Sequence, residues 1–237
     1  MTKRFFVIAG ALTLLVIFLK FGRSKYMPLV NKVKEQETLD SRMSQLEKIV
    51  RSRLNKELQA IGLEYGFPKK IALLAFKEER KLQVYAQRVE GAQLIKEYPF
   101  TGYSGRLGPK LKEGDRQIPE GIYEVEYLNP NSAYYLSIKV SYPNDFDRQR
   151  STLGSLSEMG GDIFIHGKSA SIGCIPIGDE AIEELFVLTQ NAIDNTVAII
   201  ISPRDFRFNP DFPVIDGIEW EKELYQSIET ELKKYPN

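Results

Sequence analysis

The chain has 237 residues but only one cysteine, one histidine and one tryptophan. A single cysteine excludes an internal disulfide and leaves one free thiol. With one histidine, a metal site would have to be completed by carboxylates, and Asp162 and Asp179 do not stand at usual ligand spacings. Neither sign of charge is in excess. Lys and Arg number 32, as do Asp and Glu, so there is no electrostatic case for nucleic acid. Internal repeats, low-complexity tracts and a glycine-rich phosphate loop are also absent, and no cofactor is expected. What remains is globular in character, with 43% hydrophobic and 27% charged residues, enough for a sizeable core.

Long apolar runs are scarce. The exception is Phe5 to Leu19, preceded by Lys3 and Arg4 and followed by Lys20, Arg23 and Lys25. It is short for a membrane span, which takes ~20 apolar residues. A basic start and an apolar middle are the shape of a secretory signal, yet Lys20 to Ser24 is a poor cleavage site. The preferred reading is an uncleaved signal-anchor meeting the membrane through residues 5–21. A cleaved signal and a buried N-terminal helix are the alternatives.

From Lys32 to Tyr65 the residues Leu39, Met43, Leu46, Val50, Leu54, Leu58 and Ile61 recur at three- and four-residue steps, one apolar face of a helix. This predicts a spacer helix that docks on the following body and ends at Gly66-Phe67-Pro68. Beyond it, short β-rich runs are expected at 71–76, 82–86, 92–98, 122–128 and 134–142. Asn129 to Ser132 is the expected turn between the last two. Residues 101–116 and 143–161 lack periodicity and read as long loops. Ile163 to Ile165 predicts a short core strand, and Thr196 to Ile201 another. Helices are expected after Gly178, with Asp179 as N-cap, and over Trp220 to Leu232.

The two rare residues lie eight positions apart, in Asp162-Ile163-Phe164-Ile165-His166-Gly167-Lys168-Ser169-Ala170-Ser171-Ile172-Gly173-Cys174. A thiol attacks well only as thiolate, and a nearby imidazole can take its proton. If the turn folds His166 over Cys174, the pair is a nucleophile and its base. The plainer alternatives are a small buried cysteine and a satisfied core histidine.

This stretch resembles the signature of the L,D-transpeptidase (YkuD-type) catalytic domain: a His-Gly at a strand end, a loop, then Ser-x-Gly-Cys. Ile118-Pro119-Glu120-Gly121-Ile122-Tyr123 resembles the family's Thr-Pro-x-Gly-x-Tyr/Phe element. The similarity covers about residues 70–203 and is closest to a short-loop subgroup lacking the second histidine. It extends to Ser104 to Arg116 and to Tyr142-Pro143-Asn144. The resemblance implies a mainly β fold with helices, a β-sandwich with the cysteine in a cleft. An anchor helix and a spacer helix precede it and a C-terminal helix follows. It also implies a bacterial cell-envelope enzyme acting on peptidoglycan stem peptides from the periplasmic side. In this chain Cys174 matches the nucleophile, His166 the base, and the Gly167 carbonyl the group that orients the imidazole. Gly173 and Cys174 match the oxyanion N–H donors, and Ser171 the hydroxyl before the nucleophile. Ile172 departs from the pattern where most members carry a second histidine, and Pro176 replaces a polar or basic residue.

The expected organisation is an anchor (1–25), a helical spacer (26–67), a catalytic body (68–205) and a C-terminal extension (206–237). Arg116, Arg106, Arg148 and Lys110 are candidates for binding substrate carboxylates, against the alternative of ion pairs with Asp115 and Asp147. Tyr103 and Tyr142 are candidates for lining the cleft. Whether an amine or water completes the reaction stays open. Transfer to a second stem, anchoring of a wall-linked lipoprotein and its release are all compatible. A non-catalytic wall-binding module and a tethered scaffold are the rival classes.

Overall fold

The computed structural model describes residues 36–151 and 155–236. The segment expected to meet the membrane, residues 5–21, lies outside them. Among the described residues no helix is long and apolar enough to cross a membrane.

The centre of the molecule is the strand pair β1 (Ile71–Phe76) and β8 (Ala198–Ser202), which run parallel. Every residue of β1 is buried. Ile71, Leu73 and Ala75 face one apolar cluster, while Ala72, Leu74 and Phe76 face another on the opposite side. A strand covered on both faces needs no polar alternation, which is why the sequence reads as an unbroken apolar run. Helix α5 (Asp179–Ala192) covers the first face, and α6 (Glu221–Leu232) the second through Leu224, Tyr225, Ile228 and Leu232.

Strands β2 (Lys81–Arg88), β3 (Gly91–Pro99), β4 (Gly121–Ser132), β5 (Tyr135–Val140), β6 (Phe164–His166) and β7 (Ile175–Pro176) complete an eight-stranded mixed sheet. Its order is β3-β2-β1-β8-β4-β5-β6-β7. The two layers expected of a sandwich are therefore halves of one hydrogen-bonded sheet. β4 joins them by changing partner along its length. Gly121 to Glu124 pair with β8, and Val125 onward pair with β5. Asn129 to Ser132 bends β4 instead of ending it. The register shifts there, and Ala133 and Tyr134 make the reversal.

The predicted spacer face is wholly used. Helices α1 (Leu39–Arg53) and α2 (Asn55–Ala60) bury Leu46, Val50, Leu54, Leu58 and Ile61 in the first cluster, with Leu39 and Met43 against it. The N-cap is Thr38, whose hydroxyl accepts from the Ser41 N–H at 3.1 Å. The helix stops before Gly66. Gly62 turns left-handed (φ 74°), and the Leu63 N–H reaches back to the Leu58 carbonyl at 2.8 Å, the Schellman closure.

The loop after β5 contains two short helices, α3 (Asp145–Arg150) and α4 (Leu156–Met159). Asn144 and Asp147 cap α3 reciprocally, each accepting the other's N–H at 2.9 Å. Burial pushes the Asp147 carboxyl up to about 6, against the pull of the Asn144 N–H and the Tyr123 hydroxyl. A carboxyl raised in the folded state binds its proton more tightly there than in the unfolded chain. Its contribution is therefore fully present below ~4 and is lost as pH rises through about 6. Comparing Asp147→Asn with the parent by urea titration at pH 4.5 and pH 7.5 should expose a difference on the order of 2 kcal/mol. Asparagine keeps an acceptor oxygen for the cap and cannot titrate. Equal pH slopes in the two proteins would contradict this account.

Candidate active site

His166 ends β6 and Cys174 immediately precedes β7. The two strands are parallel, with Ile165 opposite Ile175 and His166 opposite Pro176. The intervening turn brings the two rare residues to the same edge of the sheet. His166 is buried, and its Nδ1 lies 2.5 Å from the Gly167 carbonyl. A carbonyl only accepts, so Nδ1 carries the hydrogen and the Nε2 lone pair is free in the neutral ring. The Tyr134 ring lies over the imidazole, centroids 4.5 Å apart and planes tilted by 35°. Gly167 has no room for a side chain. A Cβ there would come within 2.6 Å of Asp179 Oδ1 and 2.8 Å of the Tyr134 carbonyl.

Asp179 has a different task from the one expected. Gly178, at φ 84°, is the N-cap of α5, and Asp179 is its first helical residue. Its carboxylate reaches across to the Lys168 N–H at 2.8 Å and so fixes the turn that follows His166.

Cys174 is half-buried, and its thiol donates weakly to the Asp162 carbonyl at 3.5 Å. The turn before it is tied down by serines. Ser171 Oγ donates to the Cys174 carbonyl at 2.7 Å and lies 2.9 Å from Ser104 Oγ. The Gly173 N–H donates to Ser104 Oγ at 2.8 Å. That N–H is thus already engaged, and the Cys174 N–H is the remaining candidate of the two for an oxyanion. Ser104 begins the stretch 104–116 marked by the family resemblance, but no feature of the sequence assigns it a role at the site.

Cys174 and His166 line one cavity of about 490 Å³, with Ser137, Asn129 and Phe164 on its floor and Tyr134 and Ile172 on its rim. Ile172, the position of the missing second histidine, is 74% exposed there. Burial pushes the Cys174 thiol up, opposed by a backbone hydrogen bond at Phe164 and then by Lys139 and Lys110. Burial pulls the His166 imidazolium down, and the Gly167 bond opposes it. Both shifts favour the uncharged forms, so the resting pair is a thiol beside a neutral imidazole. Among the described residues no group of three or more His, Cys, Asp or Glu is placed to hold a metal ion.

Of the six residues expected to bind substrate or line the cleft, Lys110 alone lines this cavity. Arg106 is exposed and faces a separate, larger space, and Arg148 pairs with Asp145 on α3. Tyr103 lies under the Arg80 guanidinium, 5.0 Å from its ring centroid. Tyr142 is buried, its hydroxyl 3.3 Å from the Lys110 carbonyl. Arg116 is exposed, at φ 59°. Lys110 does reach the cavity, but its ammonium is taken by Asp115 Oδ1 and the Lys112 carbonyl, both at 2.7 Å.

The long loop is anchored from beneath. Lys77, directly after β1, buries its ammonium against the carbonyls of Gly108 (2.8 Å) and Ile118 (2.9 Å) and Glu120 Oε1 (2.8 Å). Glu120 also accepts from the Gly108 N–H at 2.7 Å and the Tyr225 hydroxyl at 2.8 Å.

One mixed sheet thus presents a half-buried thiol and an oriented imidazole in a single cavity. Residues 71–200 match the YkuD family, the L,D-transpeptidase catalytic domain, and the chain belongs to that family. YafK of Escherichia coli strain K12, an L,D-transpeptidase by name, is 39% identical over 120 residues. The match takes in 50% of this chain but only 46% of that relative, so the chain spans under half the length of the relative it matches. Two solved structures are similar at lower likeness. Pgp2, a helical cell shape determining protein of Campylobacter jejuni, is 18% identical with a TM-score of 0.47, covering 77% of this chain and 78% of its own. Bd1075 of Bdellovibrio bacteriovorus is 22% identical with a TM-score of 0.40, covering 70% and 56%.

Proposed function

We propose that this protein is a cysteine-dependent acyl transferase acting on peptidoglycan stem peptides, with Cys174 as nucleophile and His166 as base. The observation that carries the reading is the shared cavity: the only thiol and the only imidazole of the chain line it together, and the imidazole's outer nitrogen is left without a proton. Family membership supplies the substrate class.

In the reaction, His166 Nε2 takes the Cys174 proton as sulfur attacks a peptide carbonyl. The Cys174 N–H stabilises the tetrahedral oxyanion, a contribution worth ~3–4 kcal/mol for a well-placed donor. Collapse breaks the C–N bond, the imidazolium returns its proton to the leaving amine, and an acyl thioester remains. An incoming amine then gives transpeptidation, and water gives hydrolysis. Ile172 presents an apolar rim where a second histidine would stand, so the oxyanion rests on backbone alone. Action on peptidoglycan places the body on the periplasmic side of the membrane, and residues 5–21 are the part proposed to hold it there.

The test is incubation of the protein with defined muropeptides and mass analysis of the products. A crosslinked or exchanged stem identifies transfer; a product gaining one water identifies hydrolysis, including release of a wall-linked lipoprotein. Cys174→Ala should leave all masses unchanged and trap no thioester. Product formation by Cys174→Ala at the parent's rate would end the proposal, and so would an inert parent protein across tri-, tetra- and pentapeptide stems.

A further inference from the structure

We propose that Lys139 is a positioning residue for the nucleophile: its ammonium, held beside the Phe164 ring one strand from Cys174, is the fixed positive charge that favours the thiolate. The inference rests on the reading of Cys174 as nucleophile and adds the group that activates it.

The geometry begins with strand register. Lys139 on β5 stands opposite Phe164 on β6, and opposite Tyr127 on β4. One step before the Ile165–Ile175 pair, Cys174 stands beside Phe164. Residues in one row across a sheet point to the same face, and strands lie ~4.8 Å apart. Lys139, Phe164 and Cys174 therefore form a row on one sheet face, with the outer two about 10 Å apart at their Cα atoms; Phe164 and Cys174 line the cavity, and Lys139 stands just behind them. The neighbouring row holds Asn129, Ser137 and His166. Nucleophile and base thus sit in two neighbouring rows of one face, with Pro176 beside His166 at the end of the second.

The lysine itself is poorly satisfied. Its side chain is only 9% exposed, and the ammonium lies 5.2 Å from the Phe164 ring centroid. Its ion partner is Asp162 at 4.0 Å, whose side chain is 96% exposed. Among the described residues Lys139 Nζ makes no hydrogen bond. A nearly buried cation with one loose, solvated counter-ion retains most of its field. Phe164 stands between Lys139 and Cys174 in strand order, and its apolar ring screens the field far less than water would.

The charged and titratable groups around Cys174 come from five places, one of them the β4–β5 reversal, which brings Tyr134. His166 comes from β6, and Asp162 from the segment ahead of it. Lys110 and Glu113 come from the long loop, and Lys139 from β5. Lys110 is spent on Asp115 and the Lys112 carbonyl. Asp162 acts against the thiolate, and Lys139 acts for it. Lys139 is therefore the cation available to offset the cost of burying the sulfur's charge.

The chain has one cysteine, so the rate of alkylation by iodoacetamide against pH reads this thiol alone. No substrate is required, which separates this test from that of the reaction. Lys139→Met should raise the labelling midpoint by about half to one pH unit. The rate at neutral pH should fall about threefold to tenfold, and Lys139→Arg should restore it to within about twofold. Asp162→Asn, at an exposed side chain, should move the midpoint the other way. An unchanged midpoint in folded Lys139→Met overturns the proposal. If that variant does not fold, an unchanged midpoint in Asp162→Asn overturns it, because that carboxylate is the counter-ion of the same ammonium.

Discussion

Lys77→Met is expected to lower the free energy of unfolding by about 3–5 kcal/mol, measured by guanidinium titration. The ammonium is fully buried, and its three hydrogens meet three acceptors: the Gly108 and Ile118 carbonyls and Glu120 Oε1. Removing the cation leaves the equally buried Glu120 carboxylate with only the Gly108 N–H and the Tyr225 hydroxyl. The cost lies less in the lost attraction than in the stranded charge. The double variant Lys77→Met/Glu120→Gln should therefore lose less than Lys77→Met and Glu120→Gln combined, a coupling read directly from a double-mutant cycle. Because Gly108 and Ile118 belong to the loop that carries Ser104, loosening it should also free the Gly173 N–H from its acceptor. A loss below ~1 kcal/mol for Lys77→Met would show that the loop is held elsewhere.

His166→Asn should reduce kcat/KM on a stem peptide by about 10²–10⁴, with the fold intact by circular dichroism. The thiol's proton is held tightly, since burial pushes Cys174 up, so attack at neutral pH needs a base in place. His166 suits that role because burial holds its imidazole unprotonated below the usual 6.5. The acid limb of the parent's kcat/KM profile should accordingly fall below pH 6.5, and the variant should lose that limb. With one histidine in the chain, the limb has no other imidazole to be assigned to. A variant within threefold of the parent would remove the base from the mechanism.

The centre of the site was legible because rarity and position coincide. A lone histidine ends an apolar strand, and a lone cysteine follows a glycine–serine turn. The walls were not. Arginines in loops carry no periodicity, so nothing in their spacing tells which way they face, and the structure turns Arg106, Arg116 and Arg148 away. The floor had a signal that could have been used. Ser137 and Lys139 alternate with Leu136, Ile138 and Val140, so one face of β5 is polar although both are buried. Lys77 opens the charged run Lys77-Glu78-Glu79-Arg80, whose composition gives no sign of burial. It is buried because β1 continues one residue past its assigned end, where the Lys77 N–H bonds the Ser202 carbonyl at 3.0 Å. Likewise Asn129 to Ser132 had turn chemistry but only bends a strand that pairing on β5 holds extended.

That long strand also constrains how a bulky molecule can reach the sulfur. β4 is laced to β8 at one end and β5 at the other, so the two halves of the sheet cannot hinge apart to admit a guest. Entry must come past residues 110–114, the Ala133–Tyr134 reversal, residues 160–162 and the turn 167–173. Changes that widen or narrow the range of accepted molecules should therefore collect in those four segments, while the sheet beneath behaves as an anvil.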